Sequence, residues 1–283
     1  MPKKILLSGA SGFIGSYLSS FLTKAGYVVF PLSSKKEEGK CTYEDDLSAM
    51  DFDIVIHLAG ENIFGRWSQK KKKKIESSRM QTTEKLIEKL KDHPPSLFMC
   101  ASAVGFYGNR KEEVLTEESK KGEGFLSDLC QRWEEKARSL PKAKVTSLRF
   151  GMVLGRNGGA FAKLLPFIKL GLAAILGSGE QYLSWITLKD LAGLILFLIE
   201  NPQEGPINAV SPHPVRQKEF IQRLAYAYHR PCFLHIPAFV MRLFFLELAD
   251  EVFLASAKVF PKKIESLGYK FSHDTLEKAI AWL

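Results

Sequence analysis

One stretch limits what this chain can fold into more than any other: Gly9-Ala10-Ser11-Gly12-Phe13-Ile14-Gly15, which follows the apolar run Ile5-Leu6-Leu7. Behind it Ile14, Leu18, Phe21 and Leu22 recur at helical spacing, so the glycines sit in a strand-to-helix turn. In that context each glycine has a separate task. Gly9 permits the tight turn, Gly12 lets the backbone approach a pyrophosphate, and Gly15 lets helix and strand pack closely. The free N–H groups of the first helical turn and its positive dipole end then suit phosphate oxygens. The expected phosphate-binding set is therefore Gly9, Ser11, Gly12, Phe13, Ile14 and Gly15.

The rest of the chain repeats the alternation. Strand-like runs at Tyr27–Leu32, Asp53–Leu58, Leu97–Ala101 and Val145–Phe150 alternate with helical patterns at Ser77–Lys91 and Phe125–Ala137. Crossovers of that length make parallel pairs, so the expected fold is α/β, a Rossmann-type doubly wound parallel sheet with a smaller C-terminal substrate lobe. After Gly155 the texture becomes Gly- and Pro-punctuated. Residues 1–155 are expected to form the dinucleotide-binding domain, with a strand near 206–210 returning to it, and residues 156–283 the smaller lobe. The apolar tail Ile236–Phe260 is expected to pack that second lobe.

With 46% hydrophobic and 25% charged residues, the composition excludes a disordered chain, a fibrous repeat and a membrane bundle. The longest clean apolar stretch, Leu191–Ile199, stops at Glu200 and is too short to span a bilayer. The Met1-Pro2-Lys3-Lys4 start leads straight into a strand, and the chain reads as cytoplasmic. Cys41, Cys100, Cys130 and Cys232 are scattered without a CxxC pair, which points to reduced thiols and no metal site. The formal charge of +9 owes part of its excess to Lys70–Lys74, read as a solvated helix start. A nucleic-acid module interleaves such charges with aromatics, so a small-molecule ligand is expected instead. Oligomeric state is not legible.

The end of the second strand chooses the dinucleotide. NAD sites place a carboxylate there for the ribose 2′-hydroxyl. This chain offers Ser33, Ser34, Lys35 and Lys36 and no carboxylate until Glu37. Hydroxyls and ammonium groups suit a 2′-phosphate better, so NADP(H) is favoured over NAD(H), with Ser33, Ser34 and Lys35 as contacts.

Several motifs now occur in a recognisable order: the glycine turn at 9–15, His57-Leu58-Ala59-Gly60, Ser102 with Tyr107-Gly108, and Leu148-Arg149-Phe150. Together they resemble the extended short-chain dehydrogenase/reductase superfamily, which includes sugar-nucleotide epimerases and dehydratases. Within it the chain is most similar to an atypical epimerase-family branch, short-chain reductase family 39U. The strings LAGENI (58–63), GRW (65–67), SSR (77–79), SAVGFYG (102–108), RWEE (132–135), GSGEQYLSWI (177–186) and LGYKF (267–271) carry that likeness. The resemblance implies further cofactor contacts at Leu58, Ala59, Gly60, Phe150 and Gly151.

The superfamily's reaction uses a Tyr-x-x-x-Lys pair, in which the lysine lowers the phenol's pKa. Here the corresponding helix reads Phe125-Leu126-Ser127-Asp128-Leu129, and neither Phe125 nor Leu129 can exchange a proton. Where nucleotide-sugar enzymes of the superfamily tend to carry an Arg-Asp pair and an Asn, this chain has Leu183-Ser184 and Met152. Candidates for chemistry are then Ser102, as a carbonyl hydrogen-bond donor or merely a strand-end cap, and Tyr107, as a stand-in acid. Glu61 is the third, as an acid/base with Arg66 as an anion anchor, or else the two form a local ion pair that orders the loop. Arg79 and Trp185 are pocket-wall candidates. The expected function is an NADP-dependent oxidoreductase or epimerase-like enzyme on an unidentified small molecule; the alternative is a non-catalytic NADP(H)-binding regulator or sensor, with a division-related role as one form of it.

Overall fold

The computed structural model describes residues 1–33 and 35–283. Among them seven strands form one sheet: β1 (Lys4–Ser8), β2 (Val28–Ser33), β3 (Cys41–Thr42), β4 (Ile54–His57), β5 (Leu97–Ala103), β6 (Lys144–Phe150) and β7 (Gly205–Ala209). Their order is β7-β6-β5-β4-β1-β2-β3, and every neighbouring pair is parallel. This is a Rossmann-type sheet. The order reverses between β1 and β4, and in open parallel sheets the crevice at that reversal is where ligands bind.

Helices α1 (Phe13–Lys24), α2 (Gln69–Leu90), α3 (Phe125–Arg138), α4 (Gly159–Lys169), α5 (Leu188–Glu200), α6 (Gln217–Ala227) and α7 (Ala238–Phe245) complete the frame. Strands buried on both faces read as continuous apolar runs, because successive side chains need opposite covers. Ile5, Leu7, Ile54, Ile56, Leu97 and Met99 pack under α1 and α5. Leu6, Val55 and Phe98 pack on the other face, against Leu86 and Leu90 of α2 and Trp133 and Ala137 of α3. Thus α5, which follows residue 155, covers the main sheet. Beyond β6 a smaller layer gathers Leu154, Phe161, Ile168, Trp185, Phe220 and Leu276 into its own core.

Two expectations need correction here. The tail Ile236–Phe260 does not pack wholly into the second lobe: Leu248, with Phe245, Val252 and Phe253, meets Trp67, Ile75, Leu126 and Leu129 on the α2–α3 side. Glu251 holds it there. Residues Ala249–Phe253 wind as a π turn, and the Glu251 carboxylate accepts from Phe125 N at 2.8 Å and Leu126 N at 2.7 Å. Gly124 gives α3 no side-chain cap, so those N–H groups need this distant acceptor. Phe239, Leu243 and Phe244 of α7 meanwhile remain exposed.

The lysine run is also more than a solvated start. Ser68 caps α2 by accepting from Lys71 N at 3.2 Å, so the helix begins before the lysines. Helical spacing then sets Lys71 and Lys74 on one side, where both reach Glu61 at 2.8 and 3.2 Å, while Lys72 pairs with Glu247. No helix among the described residues is long and apolar enough to cross a membrane.

Candidate functional site

The turn between β1 and α1 is crowded where glycine is required. Gly9 has φ +71°, and a Cβ there would stand 2.9 Å from the carbonyl carbon of Leu58. A Cβ on Gly15 would overlap the Gly9 carbonyl oxygen and stand 2.8 Å from Ala10 Cα. Gly12 occupies the N-cap of α1 in extended backbone, with no side-chain cap and no acidic residue in the first turn. The turn is thus a cradle of backbone N–H groups at a positive helix end, which fits an anion. Phe13 contributes only backbone to it. Its ring lies against the backbone of the smaller lobe, where a Cβ on Gly155 or Gly159 would stand 2.8 or 2.9 Å from ring carbons.

A buried hydrogen-bond network sets the loop after β4. Ser8 Oγ accepts from Leu58 N at 3.1 Å and Ala59 N at 3.2 Å, so its single proton goes to His57 Nδ1 at 2.6 Å. His57 then carries its own proton on Nε2 and donates to Thr83 Oγ1 at 3.0 Å. Burial, aided by the nearby Arg79 charge, pushes the imidazole pKa down to about 3. The unfolded chain takes up a proton near the ordinary 6.5 and the folded one does not, so stability is full above about 6.5. It should fall as pH drops through the window from 6.5 to about 3. His57→Gln should flatten that part of the profile, as read by urea midpoints at a series of pH values. An equally steep acid loss in the variant would show that other groups cause it.

Leu58 and Ala59 therefore lie directly against the glycine turn, and a Cβ on the next residue, Gly60, would stand 3.1 Å from Arg79 Cζ. Arg79 is half-buried beside them, with Nη1 donating to Glu61 O at 3.1 Å and Ile75 O at 3.0 Å. Glu61 does not pair with Arg66, which is exposed; Lys71 and Lys74 take its carboxylate and hold it below its ordinary range. The reason is the early start of α2, which presents two ammonium groups one turn apart. Trp185 is interior, with Nε1 donating to His213 O at 3.1 Å inside the smaller lobe.

Between the glycine turn, α1 and the end of β2 lies a cleft of about 220 Å³ lined by Ala10, Ser11, Ser16, Ser19, Pro31, Leu32, Ser33 and Lys40. Ser33 was legible in the sequence; Lys40 was not. It arrives because β3 pairs beside β2, with Thr42 opposite Ser33, which returns the preceding residue-40 position to the strand end. Lys35 is exposed beside the cleft, its N–H donating to Ser33 Oγ at 3.1 Å. Ser34 lies outside the described residues.

Ser102 and Tyr107 belong to one buried chain of polar contacts. Ser102 Oγ donates to Glu134 Oε1 at 2.7 Å, and Glu134 receives Arg149 Nε and Nη2, each at 2.8 Å. Arg149 Nη1 donates to Tyr107 Oη at 2.9 Å, and that phenol donates to Asn208 Oδ1 at 2.7 Å. Tyr107 is wholly buried, and burial raises its pKa. The literal Tyr107-to-Lys111 string has the right letters without the right geometry. Gly108 and Lys111 have φ +62° and +53°, so no helical turn stacks the lysine over the phenol. On α3, Phe125 packs edge-on against Trp67 at 5.3 Å and Leu129 is buried. Phe150 ends β6 and Gly151 follows it, where a Cβ would stand 2.8 Å from the Ser184 carbonyl carbon. Among the described residues no cluster of three or more His, Cys, Asp or Glu groups could hold a metal ion.

Residues 5–211 match the model of the NAD dependent epimerase/dehydratase family, and residues 236–283 match a domain of unknown function, DUF1731. The chain is 35% identical to the epimerase family protein YfhF of Bacillus subtilis, over 99% of this chain and 97% of that protein. It is similar to the crystal structure of human epimerase family protein SDR39U1 (isoform 2) with NADPH, at TM-score 0.92 and 33% identity, covering 98% of this chain and 97% of that one. MoeE5 in complex with UDP-glucose and NAD aligns at TM-score 0.76 over 99% of this chain and 98% of that one, but at 18% identity, a likeness of fold alone.

Proposed function

Because this chain belongs to the NAD dependent epimerase/dehydratase family, we propose that it is an NADP(H)-binding, atypical short-chain dehydrogenase/reductase that acts as an oxidoreductase on a small molecule without a Tyr–Lys pair. The observation that carries the reading is the cleft beside β2, where Ser11, Ser33 and Lys40 gather hydroxyls and an ammonium group, a set whose chemistry suits a 2′-phosphate. The NADPH of the human relative supports the same choice. Ser11, Phe13 and Ile14 would hold the pyrophosphate through backbone N–H groups, while Gly9, Gly12 and Gly15 shape the turn, the Gly12 N–H closing it on Gly9 O at 2.9 Å. Ser33 and Lys40, with Lys35 beside them, would hold the 2′-phosphate. Leu58, Ala59, Gly60, Phe150 and Gly151 would border the dinucleotide along the C-terminal edge of the sheet. The cofactor, when bound, supplies the hydride. Residues 1–155 with β7 form the cofactor-binding part in this reading. All four cysteines are free, which suits a reducing compartment such as the cytoplasm.

Ser102 and Tyr107 we assign to positioning, since each hydroxyl proton already has a buried acceptor, and Glu61 to anchoring the loop after β4. That same observation favours a second reading, a non-catalytic NADP(H) sensor. Calorimetry and a substrate panel separate the two. Wild type should bind NADPH more tightly than NADH, and Lys40→Ala should cost about 1–2 kcal/mol against NADPH alone, the scale of a charge-assisted hydrogen bond. Equal affinities would remove the NADP preference. Nucleotide sugars should not be epimerised. Carbonyl reduction by NADPH would establish the oxidoreductase, and a silent broad panel with NADPH still tightly bound would establish the sensor.

A further inference from the structure

Glu37 stands four residues beyond Ser33, too far along an extended chain to share its site, yet the loop between β2 and β3 folds it back. Ser33 Oγ donates to Glu37 Oε1 at 3.2 Å, and Lys40 Nζ donates to Oε2 at 2.5 Å. Both donors line the cleft, and Glu37 takes them from its outer rim, with 48% of its side chain exposed. The hydrogen bond from Lys40, then that from Ser33, keeps the carboxyl ionised by lowering its pKa.

We propose that Glu37 is the cofactor-selecting residue of this cleft, an internal carboxylate that competes with a 2′-phosphate for Ser33 and Lys40 and accepts from a plain ribose 2′-hydroxyl instead. The inference rests on reading the cleft as the adenosine end of the dinucleotide site. A serine hydroxyl has one proton to donate. Here it goes to Glu37, so a phosphate oxygen can receive it only after the carboxylate has left. Two anions sharing Lys40 also repel each other, which a neutral ribose does not suffer. A 2′-hydroxyl, by contrast, can donate to Glu37 where it lies, as carboxylates at the end of this strand do in NAD sites. Selectivity for NADPH is therefore held below what Ser33 and Lys40 alone would give.

The test is calorimetry on the full chain with NADPH and NADH, for wild type, Glu37→Gln and Glu37→Ala. Both variants should bind NADPH about tenfold more tightly, the worth of one charge-assisted hydrogen bond made available. Both should bind NADH more weakly. The gain for NADPH should vanish when Lys40→Ala is added to Glu37→Gln. A merely structural role for Glu37 would loosen the loop and move both cofactors the same way, so parallel shifts, or none, overturn the proposal. A wild type that binds the two equally refutes the NADP preference above but not this inference, which is decided by the change in the NADH-to-NADPH ratio of Kd. If neither dinucleotide binds wild type, both fall.

Discussion

Glu134→Gln should lower folding stability by about 3–5 kcal/mol, the usual consequence of removing one partner from a buried ion pair. The Glu134 and Arg149 side chains are 2% and 4% exposed, and the carboxylate accepts from Arg149 twice and from Ser102 once. A glutamine keeps the shape but turns an N–H₂ toward one of these donors and leaves a guanidinium charge in the interior without its counter-charge. Arg149 cannot leave. Its Cζ lies 3.5 Å from the Phe106 ring centroid, and Nη1 is bonded to Tyr107. The measurement is a urea midpoint with the slope of the transition held as a control for two-state unfolding. A loss under about 1 kcal/mol, the scale of an exposed pair, would mean that the network contributes little. Because these contacts join the C-terminal ends of β5, β6 and β7, the same variant tests whether that edge is kept rigid by polar contacts or by packing.

Gly15→Ala should weaken NADPH binding by roughly a hundredfold, from the about 1–3 kcal/mol or more that overpacking costs. The added methyl would overlap the Gly9 carbonyl oxygen and crowd Ala10 Cα, both backbone atoms that cannot rotate away. Relief requires the turn to open, which misaligns the N–H groups that the pyrophosphate needs. Gly12 is less confined, with Gly9 O at 3.2 Å from its notional Cβ, so Gly12→Ala should disturb the apo fold less than Gly15→Ala does. Thermal unfolding reads that difference and calorimetry reads the binding. Unchanged NADPH affinity in Gly15→Ala would place the pyrophosphate elsewhere.

Residue pattern along the chain is enough for the strand–glycine–helix unit, the alternation of strands and helices and hence the parallel sheet, and the absence of a proton-exchanging pair at Phe125 and Leu129. These are local matters. Backbone freedom at Gly9, the apolar pattern of Ile5–Leu7 and the identity of a side chain act within a few residues of chain, where periodicity and steric rules apply. Partner choice was decided only by tertiary structure. Ser102 and Glu134 are 32 residues apart, Tyr107 and Asn208 are 101 apart, and Glu251 caps a helix 125 residues earlier. Two hydroxyls that looked available for catalysis are thus committed to the interior, and Glu61 pairs with Lys71 and Lys74 because α2 begins at Gln69. Lys40 and Ser33 meet at Glu37 because β3 begins beside the end of β2, parallel to it. A carboxylate or hydroxyl takes whichever complementary group the fold brings within hydrogen-bond reach, and that distance is a property of the packed chain, not of spacing along it.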